Sequence, residues 1–189
     1  VSVPISVDAD KASVADAVLD AGAAIINDVS GLRYEPALGA VVARRRAAVV
    51  LMHMRGRSKD MYQQASYLEV VDEIRDELRQ SLTFATGAGI PRDAVIVDPG
   101  LGFAKEPAHS YEALARLHEF AELGRPILSG PSRKSFLSKA VGRTLTAAQR
   151  DWGTAAAVTA SVLAGAHIVR VHAVAEMAQA VRVADEIRK

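Results

Sequence analysis

Val95-Ile96-Val97-Asp98 is an unbroken apolar run that stops on a carboxylate. A strand with one wet face alternates apolar and polar residues, whereas a continuous run marks a strand covered on both faces, as in a parallel sheet flanked by helices. Five more runs behave the same way. They are Val3-Pro4-Ile5-Ser6-Val7 ending at Asp8, Ala24-Ile25-Ile26 ending at Asn27, and Ala48-Val49-Val50-Leu51-Met52 ending at His53. The last two are Pro126-Ile127-Leu128-Ser129-Gly130, leading into Ser132-Arg133-Lys134-Ser135, and Ile168-Val169-Arg170-Val171, ending at His172. Helical patterns separate them, so the predicted fold class is α/β, a TIM (β/α)8-type barrel with about six of its eight βα units in this chain. The carboxyl ends of barrel strands open on one face, which brings these scattered polar residues to a common mouth.

The helical patterns are predicted over Lys11 to Ala21 (Ala12, Ala15, Val18, Leu19), Pro36 to Arg46 (Leu38, Val41, Val42) and Ser66 to Ala85. The third carries Leu68, Val71, Ile74, Leu78 and Leu82, with Ser66 and Glu69 at capping-box spacing. Further helices are expected at about 108–122, 147–164 and 174–188, with Trp152, Ala155, Ala156, Val158 and Val162 as the apolar residues of the last connection. The polar segment from His53 to Ala65 is the longest loop and is read as a flap over the mouth. Arg44-Arg45-Arg46 reads as a solvated helix end.

Composition narrows the function. The 189 residues are half apolar and carry a net charge of +1, so no global field draws nucleic acid or an anionic membrane surface. The absence of cysteine excludes a disulfide framework, a thiolate metal site and a cysteine nucleophile. No apolar stretch approaches the roughly 18 residues of a membrane span, and cytoplasmic localisation is the default expectation. No P-loop, HExxH or Ser-His-Asp order is present, and Gly100-Leu101-Gly102 alone is a weak signal.

Asp8, Asn27 and Asp98 offer two carboxylate acceptors and one amide of both polarities. That set suits a flat heterocycle bearing amino, ring-nitrogen and carbonyl groups; singly, each also reads as a cap or turn residue. Ser132-Arg133-Lys134-Ser135 sits at a strand-to-helix turn and suits an anion or a polarised carbonyl. Arg170 and His172 alternate with Val169 and Val171, aim to one side, and suit a phosphate or diphosphate. His53 receives no role.

These segments, with Ser6-Val7-Asp8-Ala9-Asp10-Lys11-Ala12, Ile25-Ile26-Asn27-Asp28-Val29-Ser30-Gly31, Val50-Leu51-Met52-His53-Met54-Arg55-Gly56 and Asp98-Pro99-Gly100-Leu101-Gly102-Phe103, resemble the dihydropteroate synthases, folate-pathway enzymes of the pterin-binding barrel family. The resemblance implies one pterin-binding domain over 1–189 and condensation of 6-hydroxymethyl-7,8-dihydropterin diphosphate with p-aminobenzoate, releasing diphosphate. It implies that Asp8, Asn27, Met52, Asp98, Gly130 and Lys134 hold the pterin. Phe103 and Ser135 would border the aminobenzoate, and Arg170 and His172 would take the diphosphate, with Asp8, Asp98, Lys134, Arg170 and His172 as the catalytic set. It further implies small-molecule substrates, inhibition by sulfonamides, a homodimer formed through the late helices, and Mg2+.

By the same resemblance the Mg2+ ligand, an Asn on a first strand, has no counterpart here; it and two βα units are expected upstream of Val1. Three residues depart from the family pattern: Ala9 for Thr, Pro131 for Thr or a small residue, and Ala173 for Asp. The last is expected to leave His172 less well oriented. The competing expectations are a non-catalytic pterin-binding fragment or scaffold subunit, and a pterin-dependent methyltransferase of the same superfamily; the Ser-Arg-Lys-Ser turn weighs against the latter.

Overall fold

The computed structural model describes residues 2–57 and 59–189. Six parallel strands follow one another in chain order: β1 (Ser6–Asp8), β2 (Ile25–Asp28), β3 (Ala48–Met52), β4 (Val95–Asp98), β5 (Leu128–Ser129) and β6 (Ile168–Val169). The first four form one sheet in the order β1-β2-β3-β4, and the last two pair with each other. Val97 N–H donates to the Pro126 carbonyl at 3.0 Å, and the Val97–Ile127 bridge joins the two sheets into one arc. Helices α1 (Ala12–Asp20), α2 (Ala37–Arg45), α3 (Val70–Gly87), α4 (Pro107–Ala115), α5 (Phe136–Val141), α6 (Asp151–Leu163) and α7 (Val174–Arg188) connect or follow the strands. This is the βα alternation of a TIM-type barrel with six units present, as the apolar runs predicted.

The register explains why the polar strand ends meet. Asp8 pairs with Asn27, and Met52 with Asp98, so residues 19 and 46 positions apart stand side by side at one rim. Beneath that rim Ile26, Val49, Leu51 and Val97 are buried against Leu38, Val42, Val71, Ile74 and Leu78 of the helices. Transfer data put full burial of such side chains at about 1.5–3 kcal/mol each, which holds this layer in place.

Several sequence expectations are corrected. β1 starts at Ser6, and Val3 and Ile5 are exposed, because this strand has only one neighbour. Helix α3 begins at Val70 with no capping box at Ser66. Glu73 instead accepts N–H bonds from Leu68 (2.7 Å) and Glu69 (2.9 Å), and Leu68 stands 97% exposed outside the apolar stripe. The expected helix at 108–122 divides into α4 and a 3-10 turn over Leu117–Leu123. The β5–β6 connection contains α5, which the pattern did not signal, and α6 starts at Asp151. Trp152 (89% exposed) and Ala156 face outward, while Thr154, Ala157, Val158, Ser161 and Val162 face inward. Arg44 and Arg45 pair with Asp16, and Arg45 also with Asp20, on α1.

The segment from His53 to Ala65, of which Ser58 lies outside the described residues, is tied down at several points. Arg33 donates to the Met54 carbonyl, Tyr34 to the Gly56 carbonyl at 2.6 Å, and Arg55 pairs with Glu73 and Glu77 of α3. Among the described residues no helix is long and apolar enough to cross a membrane.

Candidate active site

At the carboxyl ends of the strands lies a cavity of about 520 Å3 lined by Asn27, Met52, Asp98, Phe103, Gly130, Lys134, Arg170 and His172. Eight of the ten residues singled out in the sequence therefore line one space, within the size range of small-molecule sites. The two exceptions are Asp8 and Ser135. Asp8 stands beside the space, bonded to two residues that line it. Ser135 faces a neighbouring cavity of about 580 Å3 with Tyr62, Gly102, Lys105, Phe136 and Lys139. The turn that aims Lys134 inward sends the next residue to its outer side.

The acidic wall is built from three strand ends. Asn27 donates from Nδ2 to Asp8 Oδ1 at 2.8 Å, while its buried Oδ1 has no partner. A buried amide oxygen left unpaired costs about 1–3 kcal/mol. It is an acceptor that no donor of this chain meets. The next residue, Asp28, faces the other way and is fully buried, accepting from Ser30 N–H at 2.9 Å and Ser30 Oγ at 3.0 Å. Burial pushes its carboxyl up against those hydrogen bonds. Asp28 ends β2 and ties down the turn that follows it, and its short Asp-x-Ser spacing was the only sequence signal of it.

Asp98 spends Oδ1 on Gly100 N–H at 2.7 Å. Gly100 has a φ of +68°, and a Cβ there would run into the His53 carbonyl, so glycine is required for the turn. Burial raises the Asp98 carboxyl to about 6, opposed by the Gly100 N–H and by the charges of Lys134, Lys105 and Arg170.

Opposite stands the cationic wall. Burial brings the Lys134 ammonium down to about 8 although Asp98 favours its charge, and its Nζ sits 3.4 Å from the centroid of the Phe103 ring. Arg133, expected to share the anion-binding turn with Lys134, borders the cavity but commits its guanidinium elsewhere. It has a φ of +59°, and its guanidinium makes two bonds to Asp151, at 2.8 and 2.9 Å, with its N–H on Thr154 Oγ1 at 3.0 Å. Asp151 and Thr154 on α6 thus fix the strained turn, a role that spacing alone does not reveal.

Arg170 Nη2 reaches Asp8 Oδ2 at 2.7 Å across the open side of the arc, and both side chains remain more than half exposed. His172 does not need the missing Asp at 173. Ser132 Oγ lies 2.8 Å from His172 Nδ1 and also accepts His172 N–H at 3.1 Å, so the imidazole is oriented from the β5 turn instead. Pro131 leaves that turn intact, its carbonyl accepting Lys134 N–H at 3.3 Å, and Ala9 is buried with its N–H on the Asn27 carbonyl at 3.2 Å. Among the described residues no group of three or more His, Asp or Glu converges as a metal site.

Comparison with known proteins agrees with this geometry. The family model described as "Pterin binding enzyme" matches residues 1–172. The dihydropteroate synthase of Synechocystis is 40% identical over 185 residues, covering 98% of this chain and 64% of its own length. Among solved structures, dihydropteroate synthase from Stenotrophomonas maltophilia superposes with a TM-score of 0.94 at 41% identity, covering 99% of this chain and 70% of its own. The enzyme from Thermus thermophilus, solved in complex with 6HMPPP and separately with 4-aminobenzoate, gives 0.92 at 38% identity. In the first of these structures the match covers 99% of this chain and 73% of the other. The chain accordingly spans about two thirds of the length of these relatives. With the family model matched over most of the chain and the fold superposing on synthases, this protein belongs to the pterin binding enzyme family, in its dihydropteroate synthase branch.

Proposed function

We propose that the chain carries the pterin and diphosphate subsites of a dihydropteroate synthase, joining 6-hydroxymethyl-7,8-dihydropterin diphosphate to p-aminobenzoate. The observation that carries this is the buried, unpartnered Oδ1 of Asn27 on the same cavity wall as Asp98, facing the cations Lys134 and Arg170 and the His172 imidazole. Asp98 accepts from the amino and ring N–H groups of a pterin, Asn27 Oδ1 accepts a further N–H, and Met52 packs on the ring face. Arg170 and His172 receive the diphosphate.

In the reaction the C–O bond between the exocyclic methylene and the diphosphate breaks as the amine nitrogen attacks that carbon. The bonding pair leaves with the diphosphate, and the proton released by the new secondary amine goes to solvent. Positive charge developing on the methylene is stabilised by the Asp8 and Asp98 carboxylates and the departing charge by Arg170 and His172. The aromatic amine is uncharged near neutrality and has only to be aimed, a task given to Lys134 and Phe103 with Ser135 on the outer side of the turn.

Mg2+ would add to the neutralisation of the departing diphosphate beside Arg170 and His172. A cytoplasmic setting, sulfonamide competition for the aminobenzoate subsite and a homodimer through the late helices complete the proposal. Exposed Trp152, Val183 and Ile187 on α6 and α7 support the homodimer. A methyltransferase reading is disfavoured because the turn presents the Lys134 ammonium to the cavity. The test is release of diphosphate that depends on both substrates. Lys134→Ala is expected to remove most of it, and release that needs no p-aminobenzoate, or persists in that variant, would sink the reading.

A further inference from the structure

Lys105 is 1% exposed, which for an ammonium demands a reason. Its Nζ donates to the Phe103 carbonyl at 3.1 Å and to His53 Nδ1 at 2.9 Å, and His53 Nε2 meets Glu77 Oε2 at 3.1 Å. Glu77 is held from its other side by Arg55. With Lys105 in its ammonium form the polarity is fixed: the ammonium can only donate, the carboxylate can only accept, and the imidazole between them is neutral with its proton on Nε2. Burial and the Lys105 charge bring His53 down to about 3, in keeping with that neutral ring.

The segment that Lys105 closes is under strain. Gly100, Gly102 and Ala104 all have positive φ (+68°, +77° and +48°), and Ala104 has no glycine's freedom to adopt it. Two clasps hold it: Lys105 on the Phe103 carbonyl, and Tyr67 Oη on the Ala104 carbonyl at 2.8 Å. Both draw the backbone toward β3 and α3. The Phe103 ring is left lining the cavity under the Lys134 ammonium.

We propose that Lys105, backed by His53 and Glu77, is a positioning residue that sets the Phe103 ring and with it the aim of the amine-bearing substrate. This deepens the function proposed above and rests on it for the substrate. Its test combines two readouts. Lys105→Met keeps the length of the side chain and removes the donor. With fluorophenylalanine at the four phenylalanines and the Phe103 signal assigned by Phe103→Leu, the 19F resonance of Phe103 should shift and broaden in Lys105→Met, while those of Phe84 and Phe120 stay in place. In turnover, the KM for p-aminobenzoate should rise about tenfold while that for the pterin diphosphate stays within about twofold, the pattern of a misaimed second substrate.

An unmoved Phe103 resonance in folded Lys105→Met, or an equal rise in both KM values, overturns the proposal. A wild-type chain that neither binds nor turns over pterin defeats the proposed function instead, and the fluorine readout still decides the positioning. Should Lys105→Met fail to fold, Tyr67→Phe releases the second clasp alone and should move the same resonance in the same direction; no movement would overturn the proposal equally.

Discussion

Two polar clusters lie back to back across the β4 turn, and they differ in completeness. Behind the turn, buried His53 and Lys105 join the half-buried Glu77 and Arg55 in one hydrogen-bonded chain. In front of it, Asn27 Oδ1 has no partner, one Asp98 oxygen faces the cavity, and Lys134 meets only an aromatic ring. Buried polar groups are normally paired, so a finished cluster is scaffold and an unfinished one is waiting for a ligand. That contrast separates site from support more sharply than charge or exposure does.

The largest expected effect breaks the unfinished side. Asp98→Asn replaces a pure acceptor by a mixed donor and removes charged hydrogen bonds, costing about 2–3 kcal/mol, or roughly 30- to 150-fold in pterin diphosphate affinity by calorimetry. Unchanged affinity would mean that the pterin lies elsewhere. On the finished side, Glu77→Gln leaves Arg55 and His53 short of their acceptor. It should lower the melting midpoint by about 4–8 °C, on the order of 2 kcal/mol, with little change in pterin affinity. A loss of affinity with no loss of stability would reverse the assignment of the two clusters.

A pH series sharpens the comparison. Asp98 is raised to about 6 by burial, so its acceptor form is lost as pH falls through that value, and pterin affinity should decline from pH 7 to pH 5. For folding the sign is opposite. A carboxyl whose pKa is raised on folding favours the folded chain below its unfolded value, and that contribution is lost as pH rises through about 6. Binding should therefore strengthen over the range in which this group's contribution to stability weakens, and a pH-independent affinity would place Asp98 outside the contact.

Smaller effects follow. Ser132→Ala frees His172 and should weaken binding of the diphosphate-bearing pterin about fivefold, close to 1 kcal/mol, while 6-hydroxymethylpterin binds as before. Equal losses for both ligands would show that Ser132 serves the turn and not the imidazole. Arg45→Ala, on the exposed α1–α2 face, should leave both the melting midpoint and pterin affinity unchanged within error; a clear change in either would show that this face is not merely solvated.

The fold was legible because it rests on local, repeated signals. Continuous apolar runs, each ending in a polar residue, mark buried parallel strands, and their order around the arc follows the chain. Helix ends were less legible. At α3 the decisive group, Glu73, acts from inside the first turn on the N–H groups of residues 68 and 69. At α6 the apolar Trp152 looked like core, yet the helix turns it outward.

Residue identity alone determined which chemistry the mouth can do: acceptors at Asp8, Asn27 and Asp98, cations at Lys134 and Arg170, and an imidazole at His172. Those properties belong to the side chains wherever they stand. Only the tertiary structure decided which groups are free to use them. It turned Arg133 away onto Asp151, gave His172 a partner in Ser132, 40 positions away, and enclosed His53 and Lys105 with Glu77. The physical reason is that pairing is a long-range property. Whether a donor is available depends on what packs beside it after folding, and no spacing along the chain records that.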